Sequence, residues 1–350
     1  MPAYCHRQMD ILQFMQTVYA ANEVDKRKMK FIYQQSGIDQ RYSVLADYSK
    51  PVSDWKFYPQ TENLEPFPTL EHRMSVYNKH APLLSVDAIR DCLNHKHDHK
   101  NISHLITVSC TGMSAPGLDL QLVELLDLDK NISRTSINFM GCYAAIHALK
   151  IADSICKTEP EAMVLIVCTE LCTLHFQREA TTDNITSSLL FGDGSAAILV
   201  TNDKDPQEGL TIDSFYSQVI PKGKRDMAWE LSSSGFLMTL SGYVPDLIEE
   251  DFEMVVGNAL SKSGISKKDI SHWCIHPGGK RILEAIHKSL GFSNGQLKAS
   301  YDVLKEFGNL SSASILFVLK QMMHDKKQIK NLFAAAFGPG LTVETFTGHY

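Results

Sequence analysis

"RTSINFMGCYAAIHALKIADSICKTEPEAMVLIVCTE", residues 134–170, passes from an extended apolar run through a helical pattern into a second apolar run. "RTSINFM" and "AMVLIVCTE" have strand length, and the apolar positions of "YAAIHALKIADSI" recur at helical spacing. Strand, helix and strand in that order predict a sheet with helices packed on its faces. The alternation continues outward. Upstream lie the strand "HLITVSC", the helix "LDLQLVELL", a helical pattern over about 68–95 and two helices within 8–36. Downstream, "GDGSAAILV" closes the first half as another buried strand. The polar, turn-forming "NDKDPQEG" at 202–209 then marks a boundary, dividing 1–205 from 206–350. Beyond it the order repeats: "LTIDSFYSQVI", the helix "PDLIEEDFEMVVGNALSKSG", the strand "HWCIHP", the helix "GKRILEAIHKSLG", further helical runs, then "NLFAAAF" and "LTVETFTG" as strands. Two similar α/β halves fused into one body are expected.

Composition narrows the function classes. The chain has 350 residues, 44% hydrophobic and 21% charged, which suits two core units rather than disorder. Its net charge of −6 supplies no basic field for nucleic acid. No stretch reaches the roughly 18 uncharged apolar residues of a membrane span. "MPAYCHRQMDILQFMQ" lacks the basic region and apolar core of a secretory signal, so a cytoplasmic setting with free thiols is expected for the eight cysteines. Cys156, Cys168 and Cys172 form no paired C-x-x-C unit, and no metal site is expected.

Cys142 sits where strand gives way to helix, after a glycine that permits a sharp turn. A buried free cysteine usually packs as a small hydrophobe. At a helix start, however, unpaired N–H groups lower a thiol's pKa from about 8.5, and a histidine partner lowers it further. His276 is the candidate partner, because it ends the strand "HWCIH" just before "PGG". Asn309, in "EFGNLSSAS", reads locally as a cap and turn, although its amide N–H could also donate to an oxyanion.

Together these segments resemble the type III polyketide synthases, the chalcone and stilbene synthase group with the thiolase-like fold. "GCYAA" around Cys142, "LLFGDGSAA" with Phe191, "HPGGKRILEA" with His276, "GNLSSAS" with Asn309 and Ser311, and "FGPGLTVETF" with Gly338 and Pro339 occur in the family's order. The resemblance implies two pseudo-repeated halves layered α-β-α-β-α, and a homodimer. It implies a Cys142–His276–Asn309 site needing no bound cofactor, with acyl-CoA and malonyl-CoA as substrates. Phe191 is implied as an aromatic gate, and Ser311, Gly338 and Pro339 as pocket residues. Readings left open beside this one are a single-condensation ketoacyl synthase and a non-catalytic acyl-binding subunit.

Departures from the plant pattern bear on specificity. Trp229 in "MAWELSSSGF" stands where the plant enzymes carry a small glycine, and Met238 in "GFLMTLSGYVP" where they carry a second gating phenylalanine. His175 replaces a pocket threonine, and Cys110 in "VSCTG" a small hydroxyl residue, with Thr111 beside it. The tryptophan followed by "GFLMTLS" resembles bacterial members that make alkylresorcinols or alkylpyrones from fatty acyl starters. Of the cations that hold coenzyme A phosphates in the family, Lys28 remains while Phe31 and Gln35 take other positions, which leaves room for delivery by an acyl carrier protein. Met1 directly precedes "PAYCHRQ", so the family's first β-strand is expected to be missing.

Overall fold

The computed structural model describes residues 1–350 except 62, 95–96, 204–208, 294 and 325–327. The first half runs β1 (Tyr4–Arg7), α1 (Gln8–Tyr19), α2 (Glu23–Gln35), β2 (Gln40–Ser43), α3 (Leu70–Leu93), β3 (His104–Ser109), α4 (Leu118–Leu125), β4 (Ser133–Asn138), α5 (Ala144–Thr158), β5 (Met163–Leu171), α6 (Thr182–Leu190) and β6 (Asp193–Thr201). The second runs β7 (Thr211–Val219), β8 (Met227–Ser232), β9 (Gly235–Leu240), α7 (Val244–Ser263), β10 (His272–Ile275), α8 (Lys280–Ser289), α9 (Lys298–Phe307), α10 (Ser314–Met323), β11 (Leu332–Gly338) and β12 (Thr342–His349).

Two four-stranded sheets carry the body, ordered β4-β3-β5-β6 and β10-β11-β12-β7. In the first, β3 is parallel to β4 and β5, and β6 returns antiparallel. In the second, β10 and β11 are parallel, and β12 returns antiparallel. The motif α5-β5-β6 thus recurs as α10-β11-β12. Strands such as β5, "MVLIVCTEL", are buried on both faces and read as continuous apolar runs.

Layering follows from which helices are apolar on more than one side. α5 buries Ala144, Ala145, Ile146, Ala148, Leu149, Ala152 and Cys156, and α10 buries Ser314, Ile315, Leu316, Val318 and Leu319. Helices apolar around most of their circumference must be covered on several sides. α5 packs on β5 and β6 of one sheet and β12 of the other, while α10 packs on β10 and β6. Both therefore form a central layer, and their small alanines and serines let the sheets approach. α3 and α4 cover the outer face of the first sheet, and α7 the outer face of the second with α8 against it. The order is α-β-α-β-α, as expected.

Three elements have weak sequence signals: β1, α6 and the β8–β9 hairpin. β8 and β9 pair antiparallel with Trp229 opposite Met238. β1 joins β2 in a separate ribbon. The edge of β6 has no ladder partner among the described residues, whereas β7 covers the equivalent edge of β12. The expected division between residues 205 and 206 lies outside the described residues.

Candidate active site

A cavity of about 610 Å³ lies where the two halves meet, and Cys142, His276, Asn309, Phe191 and Ser311 all line it. Cys142 occupies the turn between β4 and α5. The chain reverses there through Phe139 (φ 58°) and Gly141 (φ 81°). Gly141 N–H donates to Cys110 Sγ at 3.0 Å, which ties the turn to the end of β3. A Cβ at Gly141 would lie 2.3 Å from Pro339 Cδ, so only glycine fits both the backbone and the packing. Gly141→Ala is expected to cost at least about 2 kcal/mol and to displace Cys142. A lowered melting temperature together with a changed Cys142 alkylation rate checks this.

His276 directly follows β10, and its backbone N–H continues the ladder to Ala335 O at 2.9 Å. It therefore stands at the C-terminal end of a parallel strand, as Cys110 does after β3. Its ring is buried, and Nδ1 has no hydrogen-bond partner among the described residues. Asn309 lies in the turn before α10, the counterpart of the Cys142 turn before α5. Its backbone is tied across the halves: Asn309 N–H donates to Leu190 O at 2.9 Å, and Gly192 N–H to Asn309 O at 3.0 Å. Asn309 and Phe191 consequently form a parallel bridge. Asn309 Oδ1 accepts from Ser311 N–H at 2.8 Å, which turns the amide N–H₂ the other way. One of those N–H bonds meets Gly278 O at 3.3 Å, and the amide also reaches the Cys142 thiol.

Burial dominates the electrostatics. It pushes the Cys142 thiol up to about 12, aided by the Glu170 carboxyl and opposed by hydrogen bonds from Ser311 and Asn309. It pulls His276 down to about 3. The resting pair is a neutral thiol and a neutral imidazole. This reverses the lowered thiol expected from the helix start, because α5 begins only at Ala144 and the cavity wall withholds water from Sγ. Cys142 Sγ donates to Ser311 Oγ at 3.7 Å, and Ser311 holds a left-handed backbone (φ 50°).

The family model for the N-terminal domain of chalcone and stilbene synthases matches residues 1–204, and that for the C-terminal domain residues 211–349. The chain belongs to the chalcone and stilbene synthase family. Among curated relatives, "Probable polyketide synthase 1" of Dictyostelium discoideum is 34% identical over 326 residues, covering 91% of this chain but 10% of that protein. The chain thus spans about a tenth of that relative. "Alpha-pyrone synthesis polyketide synthase-like Pks18" of Mycobacterium tuberculosis is 34% identical over 284 residues, covering 79% of this chain and 72% of that protein. Among solved structures, PKS-I of the brown alga Ectocarpus siliculosus superposes with TM-score 0.92 at 27% identity, covering 99% of this chain and 95% of the other. The C-terminal type III polyketide synthase domain of Steely1 from Dictyostelium gives 0.91 at 30% identity, covering 100% and 96%.

In this chalcone and stilbene synthase chain, the departures seen in the sequence converge on one wall. His175, Trp229, Met238 and Thr111 line the cavity. His175 Nε2–H donates to Thr111 O at 2.7 Å, and its Nδ1 accepts from Phe236 N–H at 3.1 Å, which sets the tautomer. Its ring stacks on Phe236 with centroids 4.2 Å apart, and Trp229 meets both rings edge-on. Trp229 Nε1–H donates to Cys110 O at 2.6 Å. His175 and Trp229 thus clamp the β8–β9 hairpin onto the end of β3.

Two expected residues lie elsewhere. Lys28 is exposed on α2 and does not border the cavity, whose surface end is lined instead by Phe31, Gln35, Lys280 and Arg281. Gly338 does not line the cavity either; a Cβ there would lie 2.5 Å from Tyr143 Cδ1, so its smallness serves packing. Pro339 does line it. Sequence reasoning passed over Glu170, fully buried at the end of β5. Its carboxylate accepts from Cys110 N–H at 2.9 Å, Thr111 Oγ1–H at 2.8 Å and Ser312 Oγ–H. An acid closing the apolar run "MVLIVCTE" was the available signal.

Proposed function

We propose that this chain is a type III polyketide synthase that loads a fatty acyl starter on Cys142 and extends it by repeated decarboxylative condensation with malonyl-CoA, closing the product to a resorcinol or pyrone. The observation that carries this reading is one buried cavity lined by a thiol, an imidazole with an unpartnered nitrogen and an amide that reaches the thiol. Cys142 Sγ attacks the starter thioester as His276 takes its proton, and coenzyme A leaves as the thiol with that proton. Malonyl thioester then enters. Its carboxylate departs as CO₂, leaving the bond's electron pair as an enolate on the thioester oxygen. Asn309 Nδ2–H and a ring N–H of His276 donate to that oxygen. The carbanion attacks the acyl carbonyl on Cys142, the C–S bond breaks, and the chain is longer by two carbons. Phe191 stands between mouth and nucleophile as a gate. Trp229, Met238, His175, Thr111, Ser311 and Pro339 shape the space for chain and ring.

The clamped wall supports a fatty starter, since an indole and an imidazole fill space that a bulky aromatic starter needs. Within this reading the two halves, 1–205 and 206–350, supply nucleophile and donors respectively, and the protein acts as a cytoplasmic homodimer. The edge strand β4, exposed along most of its length, offers a self-complementary surface. No described helix is long and apolar enough to cross a membrane. Incubation with labelled malonyl-CoA and a starter series tests the reading: tri- or tetraketide masses are expected, and a product extended only once contradicts it.

At the mouth, Lys280 and Arg281 take the place assigned to Lys28 in gripping the phosphates of a thioester substrate. Replacing both with alanine is expected to raise KM for malonyl-CoA about fivefold with kcat unchanged. The phosphate-free malonyl N-acetylcysteamine thioester should show no such change, and Lys28→Ala should alter neither. Steady-state kinetics with the two thioesters checks this.

A further inference from the structure

We propose that Arg41, on β2, is a positioning residue of the reaction: it grips the carbonyl of Phe191 and so holds the gate and the Asn309 donor in one register. This rests on the reading of Asn309 as a donor to the enolate oxygen. Arg41 is 4% exposed and borders the cavity. Its Nη1–H donates to Phe191 O, and its Nε–H donates to Gln8 Oε1 at 2.9 Å. Gln8 in turn donates from Nε2 to Leu189 O at 2.9 Å. Gln8 and Arg41 therefore act on the end of α6 as one unit. Both acceptors of Arg41 are neutral oxygens, so its contribution there is directed hydrogen bonding from a cation.

The end of α6 shows why such a grip is needed. A helix leaves its last carbonyls without partners inside the helix. Here Leu189 O takes Gln8 Nε2–H, Leu190 O takes Asn309 N–H at 2.9 Å, and Phe191 O takes Arg41. A cation suits this end, where the aligned peptide dipoles leave negative charge. Asn309 O then accepts from Gly192 N–H at 3.0 Å, so the two segments are tied in both directions. Gly308 (φ 69°) lets them approach. A Cβ there would lie 2.7 Å from Leu190 O and 2.8 Å from Arg41 Cγ, so the arginine stem fills the groove beside the bridge. Without the guanidinium, Phe191 O is left short of its donor, which favours turning that peptide toward water. Asn309 must follow, because its backbone bonds lie on the two residues flanking Phe191. A misplacement near 1 Å costs about 10²-fold in rate, so a smaller shift is still measurable. Cys142 and His276 are anchored on other strands and stay in place.

The test uses Arg41→Met, which keeps the stem and removes the donors. The kcat for CO₂ release from labelled malonyl-CoA is expected to fall about 10–30-fold, with KM changed less than about twofold, because the cavity mouth is untouched. In an Asn309→Ala background the same substitution should cost less than about twofold more, since its effect runs through Asn309. Gln8→Leu, which takes away the acceptor of Arg41 Nε–H, should lower CO₂ release about threefold, and it keeps the test open if Arg41→Met fails to fold. The gate is read separately. The rate of Cys142 alkylation by N-phenylmaleimide relative to iodoacetamide should change at least about threefold in Arg41→Met as Phe191 shifts. Provided Asn309→Ala is itself slow, equal losses in the two backgrounds, or CO₂ release unmoved by Arg41→Met and Gln8→Leu, overturn the proposal. An unmoved alkylation ratio overturns it in any case. If Asn309→Ala alone leaves CO₂ release intact while the ratio shifts, the reading of Asn309 falls and the grip of Arg41 on the Phe191–Asn309 bridge stands.

Discussion

Cys142→Ala is expected to abolish polyketide formation, by at least roughly 10⁴-fold, while malonyl-CoA continues to lose CO₂. The two half-reactions use different groups. Without Sγ no acyl chain is held for attack, so no C–C bond forms. Decarboxylation needs only the donors that hold the enolate oxygen, and Asn309 and His276 keep their positions because neither is anchored through Cys142. Asn309 is fixed by Leu190 O, Gly192 N and Ser311 N, and His276 by the ladder to Ala335. Asn309→Ala should therefore give the converse result, with CO₂ release down about 10²–10³-fold for loss of one oxyanion donor. Labelled malonyl-CoA reports both quantities in one assay. If Cys142→Ala leaves product formation intact, the site lies elsewhere.

His276→Ala is expected to change how Cys142 alkylation depends on pH, and not only its rate. With the thiol pushed up to about 12 and the imidazole pulled down to about 3, the pair carries one exchangeable proton throughout the interval between them. Moving that proton from Sγ to the ring takes none from solvent, so the reactive ion pair has a constant share of the population from pH 6 to 9. The unsubstituted protein should show a nearly flat alkylation rate over that range. Without the imidazole, thiolate arises only by losing a proton to water. A thiol at about 12 is then ionised to roughly one part in 10⁵ at pH 7, and its rate climbs tenfold per pH unit. Mass spectrometry of the Cys142 peptide after timed iodoacetamide exposure separates it from the exposed Cys5. Parallel slopes in the two proteins would remove His276 from the proton's path.

Much of this site could be read without coordinates. The α5-β5-β6 segment announces itself because strands buried on both faces must be continuously apolar, and a helix between two sheets must be apolar around most of its circumference. Glycines at forced turns, such as Gly141, also leave a mark, since backbone and packing allow nothing else. Motif order then assembled Cys142, Phe191, His276 and Asn309, and the structure lines one cavity with all four. The β8–β9 hairpin was less legible. Its strands sit half-buried on the body, so "MAWELS" shows no strict alternation, and tertiary contacts supply what the pattern lacks.

Charge placement was the hardest to foresee. Lys28 and Lys280 look alike as letters, yet one points into water from α2 while the other borders the cavity mouth at the start of α8. Helical phase and the packing of α8 against α7 separate them, and neither is local. Glu170 and Ser312 meet across 142 residues of chain, a pairing no window of sequence contains. The direction of the Cys142 shift was missed for a related reason. A helix start is a local feature that favours thiolate, but desolvation depends on every element around the cavity, and here it outweighs the helix. The order of strands and helices, the fold family and the identity of the reactive groups therefore belong to the chain's own pattern, because periodicity and turn chemistry act over a few residues. The clamp on the cavity wall and the protonation state of Cys142 arise only when distant segments close on one another and exclude water.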